Sequence, residues 1–359
     1  MITIRDIANL ALVSTATVSH VVNSTAYVSP ELRKRVVAAI RDLRYQPSAL
    51  ARSLRTKQTK TVGMIIPDIT NPFFPQVVRG AEDLLLQEGY TLIVGNSDGE
   101  TRKEEGYYRT FCAKQVDGLL LVIAPAARAP EYLRRHNLEA IPVVYIDRFH
   151  RGLRGDGVIV DNVGGSYQAV CHLLDCGHRR IGTITGPLQL LNARMRLEGY
   201  RRAFVQHHLN VDSNLIREGR FDSQSGYDQT KGLLGLRDRP TALFVCNALM
   251  TIGSLRALTD SGVRCPEEMA LVSFDDLEWF DLLRPSISAV AQPAYDLGAK
   301  AAEILVKRFS GRLTGGSHRK VLETKLVVRD SSNWHREADV EHNRLRGRPG
   351  SPQWSNPQS

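Results

Sequence analysis

Several things are scarce in this 359-residue chain, and each scarcity closes off a class of function. No apolar run approaches the ~20 residues that a membrane-spanning helix needs. The first residues are polar and mixed in charge rather than basic and then apolar, which predicts no secretory signal and a cytoplasmic protein. Cys112, Cys171, Cys176, Cys246 and Cys265 are odd in number and irregularly spaced, as reduced thiols are. Cys171 and His172 lie near Cys176 and His178, but an apolar helix running into a Gly turn would point these groups different ways, so no metal site is read there. No Ser sits in a nucleophile-elbow pattern, and no Gly-rich loop ends in Lys-Ser/Thr. No cofactor is implied.

What is present is length and a lopsided charge. The length suggests two or three domains, and 42% hydrophobic residues allow a sizeable core. Of the net charge of +9, +7 falls within residues 1–60, through Arg5, Arg33, Lys34, Arg35, Arg41, Arg44, Arg52, Arg55, Lys57 and Lys60. A small basic end on a nearly neutral body points to a polyanion at that end. A membrane surface would need a basic amphipathic helix with an aromatic or Leu-rich face, and none is present there.

The basic end reads as helical. Thr3-Ile4-Arg5-Asp6 has capping-box spacing and opens a short helix over Ile4–Leu10. Ser14 caps a second, in which Val18, Val21 and Val22 share one side and Thr15, Ala16, Thr17, Ser19 and His20 are left small and polar. Two short helices joined by a tight turn, the second with a readable face, make a helix-turn-helix suited to a DNA groove. A third helix, about Pro30 to Leu43, closes the domain with Leu32, Val36, Val37, Ile40 and Leu43 over Ile7, Leu10 and Val18. Tyr45 to Leu54 then contains a helix of barely two turns, too short to persist alone, with Leu50 and Leu54 on one side. Such a conditional helix packs on a partner copy or wedges leucines between base pairs of a minor groove. The DNA-contact candidates are Thr15, Ala16, Thr17, Ser19, His20, Asn23, Tyr45, Ser48, Arg52, Leu54 and Arg55.

From Thr61 the texture changes to short Val/Ile-rich runs alternating with amphipathic stretches: Val62–Ile66, Leu92–Val94, Leu119–Ile123, Val143–Ile146, Val158–Val160, Ile181–Ile184, Ala242–Val245, Leu271–Phe274 and Ile287–Val290. This is a repeated βαβ pattern, hence parallel sheets covered by helices, and too many strands for one ordinary sheet. Ligands of open α/β sheets collect beyond the carboxyl ends of the strands. Those ends carry Phe73, Phe74, Asp147, Asn247, Asp275 and Gln292, and Arg194 and Arg196 open a later helix. Such a set clamps a small polar ligand rather than catalysing a reaction. Asp276 is read as a helix cap. The Arg-, Pro- and Ser-rich residues 332–359 have no apolar period, and a disordered tail is expected.

In order, the motifs IRDIANLALVSTATVSHVVN, VSPELRKRVVAAIRDLRYQPSALARSL, VGMIIPDITNPFFPQVVRGAE, QVDGLLL, GHRRIGTITGP, RMRLEGYRRAF, LVSFDD and AVAQP resemble the LacI/GalR family of bacterial transcriptional regulators. The resemblance spans about residues 2–330, and the head is most similar to the purine repressor branch. It implies a homodimer, or a higher assembly, placing two recognition helices on a palindromic double-stranded operator. Thr15, Ala16 and His20 would read bases, and Leu54 would be the minor-groove wedge of a hinge helix. It also implies a helix-turn-helix domain (1–46), a hinge and linker (47–60), and a two-lobed periplasmic-binding-protein-like body (61–331). The N-lobe would take 61–161 and 293–322, the C-lobe 162–292 and 323–331, with three crossovers. Arg196, Phe221, Asp275 and Gln292 match the family's pocket positions, where a sugar, sugar acid or related metabolite is expected as effector.

Three departures stand out. The bend of the helix-turn-helix, usually Gly or Asn, is Leu12; a branched side chain in a left-handed turn costs roughly 1–2 kcal/mol, tolerable where Leu12 packs. The family's Asn-Asp pair is Asn247-Ala248, so one acidic anchor is missing, and Phe73 and Leu190 replace polar positions of the purine pattern. The competing readings are a solute-binding module without DNA activity and an enzyme acting on sugars. The basic helical head speaks against the first, the missing nucleotide and metal motifs against the second.

Overall fold

The structure, a computed structural model, describes residues 2–23, 25–45, 58–125, 131–136, 141–150, 153 and 155–333. Ser48, Arg52, Leu54 and Arg55 of the expected hinge, and the tail from 334 onward, lie outside the described residues. The chain divides into two compact units, Met1–Thr61 with Gln115–Asp117, and Val62–Lys114 with Gly118–Ser359.

The first unit carries α1 (Ile4–Ala11), α2 (Thr15–Asn23) and α3 (Pro30–Asp42). The Asp6 carboxylate accepts the Thr3 N–H at 2.7 Å and its hydroxyl at 2.8 Å, which opens α1 and holds that carboxyl below the usual range. Ser14 Oγ accepts the Thr17 N–H at 3.1 Å and so caps α2. The core is Ile7, Ala8, Ala11, Val18, Val21, Val36 and Ala39. Leu10 and Val37, expected inside, are 52% and 46% exposed. Each sits about 100° round its helix from the buried row, which runs Ile4-Ile7-Ala8-Ala11 in α1 and Leu32-Val36-Ala39-Ile40-Leu43 in α3.

Leu12 does take the left-handed conformation, at φ 50° and ψ 50°. It does not pack: the side chain is 80% exposed. The turn is held through its backbone instead. The Val13 N–H reaches the Ala8 carbonyl at 3.0 Å, and the Arg35 guanidinium donates to the carbonyls of Ala11 and Leu12 at 2.5 and 3.0 Å. A side chain of α3 therefore satisfies carbonyls left orphaned at the end of α1.

In the second unit the chain runs β1 (Thr61–Ile66), α4 (Phe73–Gln87), β2 (Thr91–Asn96), α5 (Thr101–Ala113), β3 (Gly118–Leu121), α6 (Glu131–His136), β4 (Val143–Ile146), β5 (Asp156–Val160), α7 (Asn162–Asp175) and β6 (Ile181–Thr185). It continues through α8 (Leu191–Gln206), β7 (Ile216–Glu218), α9 (Ser223–Leu234), β8 (Ala242–Val245), α10 (Ala248–Asp260), β9 (Ala270–Phe274), β10 (Ser288–Ala291), α11 (Ala294–Phe309), β11 (Arg319–Leu322) and β12 (Lys325–Val327). The first six-stranded sheet has the order β11-β5-β4-β3-β1-β2, the second β12-β10-β9-β8-β6-β7. All nine strands expected from Val/Ile-rich runs are present. Strands β7, β11 and β12 carry no such run: Arg319-Lys320-Val321-Leu322 is an edge strand whose pairing to β5 rests on backbone bonds.

Three passages link the sheets: after β5, after β10, and between β11 and β12. Each lobe has its own apolar core, one around Val62, Met64, Ile66 and Leu120, the other around Ile184, Phe244, Val272 and Phe274. The C-lobe is closed by Ser331 and Ser332, both fully buried, with Ser332 bonded to His172 at 2.8 Å and Ser288 at 2.6 Å. Ser332, expected to begin the tail, is therefore part of the core.

Candidate DNA-reading face and effector cleft

On α2, Thr15 and Ala16 are exposed, and Thr17, Ser19, His20 and Asn23 are half-buried. Thr17 is committed to the cap, its hydroxyl 2.9 Å from Ser14 Oγ. The Asn23 amide donates to the Ser19 carbonyl at 2.8 Å, one turn back along the helix. Tyr45 packs, half-buried, against the three-helix core rather than standing out as a contact residue.

The body brings most of the candidate ligand residues together between the lobes. Asp147 and Asp275, at the ends of β4 and β9, and Phe221, after β7, all hold positive φ: 63°, 76° and 65°. Left-handed backbone at three non-glycine residues of one site is local strain retained where side chains must be aimed. The Phe221 ring lies against the backbone of Gly186, where a Cβ would come within 1.9 Å of it.

Arg148 sits at the centre. Its guanidinium carbon is 5.7 Å from the ring centre of Phe74 in the N-lobe and 5.5 Å from that of Phe221 in the C-lobe. It is 7% exposed, and its Nε donates to Asp147 Oδ2 at 3.2 Å. Burial pushes its pKa down, Asp147 opposes that shift, and the nearby Arg196 adds to it. The Asn192 amide of the C-lobe donates to the same Asp147 oxygen at 3.2 Å, a bond across the cleft. Asp147 Oδ1 and Gln292 Oε1 are buried without a hydrogen-bond partner. Arg148 and Asn192 were not among the expected ligand residues. Arg148 stood next to Asp147 at a strand end, and that position was the available signal; nothing in the local sequence marked Asn192.

Arg196 is placed differently from expectation. Its Nε donates to Asn162 Oδ1 at 2.8 Å, and a terminal nitrogen donates to the Cys246 carbonyl at 2.6 Å. Its guanidinium carbon lies 3.8 Å from the ring centre of Phe274 and 6.0 Å from that of Phe221. It pins α7, α8 and the end of β8 together while presenting one edge to the cleft. Arg194, two residues earlier and about 200° round the helix, makes none of these contacts, and its Nε is buried without a partner. Asp275 accepts from the Gln292 amide and from the Ala248 N–H at 3.3 Å. Burial raises its pKa, with Arg196 pulling the other way.

Asn247, expected to touch ligand, caps α10: its oxygen accepts the Met250 N–H at 2.9 Å and its amide holds the Phe221 carbonyl at 3.2 Å. Phe73 turns from Phe74, edge to face at 5.1 Å, and lines an adjoining cavity of about 430 Å³ with Asp275, Gln292, Trp279 and Tyr295. Asp276 is no helix cap; it makes a bidentate pair with Arg329 at 2.8 and 2.9 Å. Among the described residues no cluster of His, Cys, Asp and Glu could hold a metal.

A helix-turn-helix head and a two-lobed body with a polar interlobe cleft define a ligand-responsive DNA-binding regulator. Comparisons with known proteins place it further. Residues 3–48 match the bacterial regulatory proteins, lacI family, and residues 170–332 match the periplasmic binding protein-like domain. The chain is 36% identical to the ribose operon repressor of Haemophilus influenzae, over 92% of this chain and 98% of that one. It is 35% identical to the transcriptional repressor PurR of Photobacterium profundum, with the same coverage. Among solved structures, a lac repressor dimer bound to operator and the anti-inducer ONPF superposes with a TM-score of 0.82 at 27% identity, covering 92% and 99% of the two chains. A CelR–cellobiose complex gives 0.71 at 32% identity, covering 92% and 100%. The chain belongs to the lacI family of bacterial regulatory proteins. It is a DNA-binding transcriptional repressor with an effector-binding C-terminal domain, neither a solute-binding module alone nor an enzyme.

Proposed function

We propose that this repressor is controlled by a neutral sugar of monosaccharide size, held in the interlobe cleft beside Arg148 and the rings of Phe74 and Phe221. The observation that carries this is the balance of groups around the two rings. Arg148 and Arg196 are matched by Asp147 and Asp275, so the cleft offers no net positive charge to an anion. Asp147 Oδ1, on the carboxylate that pairs with Arg148, and Gln292 Oε1, on the amide that pairs with Asp275, are unmet acceptors. Hydroxyls both donate and accept, and the apolar faces of a sugar ring suit aromatic walls. A solved LacI-family regulator from Enterococcus faecium with bound ribose, 27% identical, supports this class. It favours a neutral sugar over a sugar acid, the other effector expected from the sequence.

The working form in this reading is a cytoplasmic homodimer on a palindromic operator, with head, hinge and two-lobed body divided as the sequence suggests and the tail beginning beyond Ser332. The lac repressor dimer supports it, as does the edge strand β2, where Ile93 and Val94 are each 38% exposed. Thermal-shift screening of the full chain against aldoses, aldonic acids, nucleosides and purines tests the effector class. A ligand at 100 times its dissociation constant adds about 2.7 kcal/mol. A shift with aldoses and none with the other classes is expected. Stabilisation by aldonates or purines but by no aldose overturns the reading.

A further inference from the structure

The face of α2 has little left with which to read bases. Thr17 is tied to Ser14, the Asn23 amide is tied to Ser19, and Ala16 offers only a methyl group. That leaves the Thr15 and Ser19 hydroxyls and, as the longest side chain of the three, the His20 imidazole. His20 is not free to turn: its Nδ1 lies 2.9 Å from the hydroxyl of Thr25, two residues beyond the end of α2. A histidine ring rotates broadly about its second side-chain torsion. A single hydrogen bond to one nitrogen holds the ring plane, and where the partner hydroxyl donates it also sets the tautomer seen at the other.

We propose that Thr25 is the positioning residue for base reading by His20. This rests on His20 facing the operator bases. The Thr25 hydroxyl gives its proton to Nδ1, so Nε2 carries the ring proton and points outward as a donor. A donor in the major groove selects acceptors, and guanine presents two of them, N7 and O6, on one edge. Thr25 thus sets a base preference without touching DNA, and lies where the loop after α2 returns beside its last turn. A threonine in an exposed loop carries no obvious function until this bond is seen.

The test is selection from a randomised duplex library with the full-length protein and the variants His20→Ala, Thr25→Val and Thr25→Ser. The readout is the base preference at each position, a ratio within one protein that does not depend on how much of it is folded. His20→Ala should flatten a guanine preference at one position of each half-site. Thr25→Val should weaken that same preference three- to tenfold and leave the other positions alone, and Thr25→Ser, which keeps the hydroxyl, should restore it. Affinity for non-specific duplex should be the same in all four proteins. If His20→Ala flattens a position that Thr25→Val leaves at its wild-type preference, Thr25 does not position the ring. If His20→Ala flattens no position, the base-reading assignment of His20 fails first and takes Thr25 with it.

Discussion

Arg196→Ala separates a ligand arm from a structural pin. The substitution removes two charge-assisted bonds, at 2.8 Å to Asn162 and 2.6 Å to the Cys246 carbonyl. It also removes a stacked cation 3.8 Å from the Phe274 ring centre. Bonds of this kind are worth about 1.5–3 kcal/mol each, and a desolvated cation over an aromatic ring about 2 kcal/mol. Asn162 and Cys246 are left buried with unmet acceptors, and Asp275, already pushed up by burial, loses its countercharge. Partial relaxation brings the net loss to about 4 kcal/mol, below the sum of the two bonds and the stacked cation. For a lobe of this size that lowers the melting temperature by about 10 °C. Scanning calorimetry of the full chain measures it. Arg148→Ala removes one partner of a buried ion pair, 3.2 Å from Asp147, and should cost a comparable amount, about 3–5 kcal/mol. An Arg196→Ala protein melting within about 3 °C of wild type refutes the structural assignment.

Three further expectations follow from particular residues. Burial holds His178 at about 4, with repulsion from His172 and Arg179 adding to the shift. Between about pH 6.5 and pH 4 the unfolded chain binds a proton that the folded chain refuses, so stability falls as pH falls, by about 3 kcal/mol in full. Urea unfolding at stepped pH should show His178→Gln with a shallower loss than wild type, and equal slopes for the two proteins contradict this. Leu12→Gly relieves a left-handed turn without losing packing, and after the added chain entropy should stabilise the head by about 0.5–1 kcal/mol. Hydrogen exchange of the α1 amides should slow about threefold, and unchanged or faster exchange counts against it. Gly186→Ala drives a Cβ to 1.9 Å from the Phe221 ring; calorimetric titration should show sugar affinity down at least tenfold, and wild-type affinity would remove Phe221 from the ligand wall.

The parts of this molecule that were legible in the sequence are those where one physical rule acts alone. Thr3 and Asp6, or Ser14 and Thr17, form caps because the donors to be satisfied lie within the same turn. Buried parallel strands such as Val62–Ile66 declare themselves by continuous apolar runs. The sequence said less where one residue serves two neighbours. Asn247 lies at a strand end, as ligand residues do, yet both ends of its amide are used in capping α10 and holding Phe221. Asp276 resembled a cap because its partner, Arg329, is 53 residues away. A packed Leu12 side chain would offset the strained turn, but it is Arg35, from another helix, that supplies the compensation through carbonyls. Arg148 lay in plain view beside Asp147, but a place between two rings from different lobes is a property of the assembled cleft alone.

The most direct test of the account joins its two halves. The operator recovered by selection is titrated with the full-length protein at one fixed salt concentration, since affinity for DNA falls steeply with salt. The titration is repeated with the aldose that gives the largest thermal shift. Coupling between sites typically changes affinity five- to 150-fold, so a change of at least fivefold is expected with wild type. Arg148→Ala should lose that response while binding the operator, without sugar, within about twofold of wild type. Operator binding that ignores every sugar able to stabilise the body, or an Arg148→Ala protein that responds as wild type does, would contradict the account.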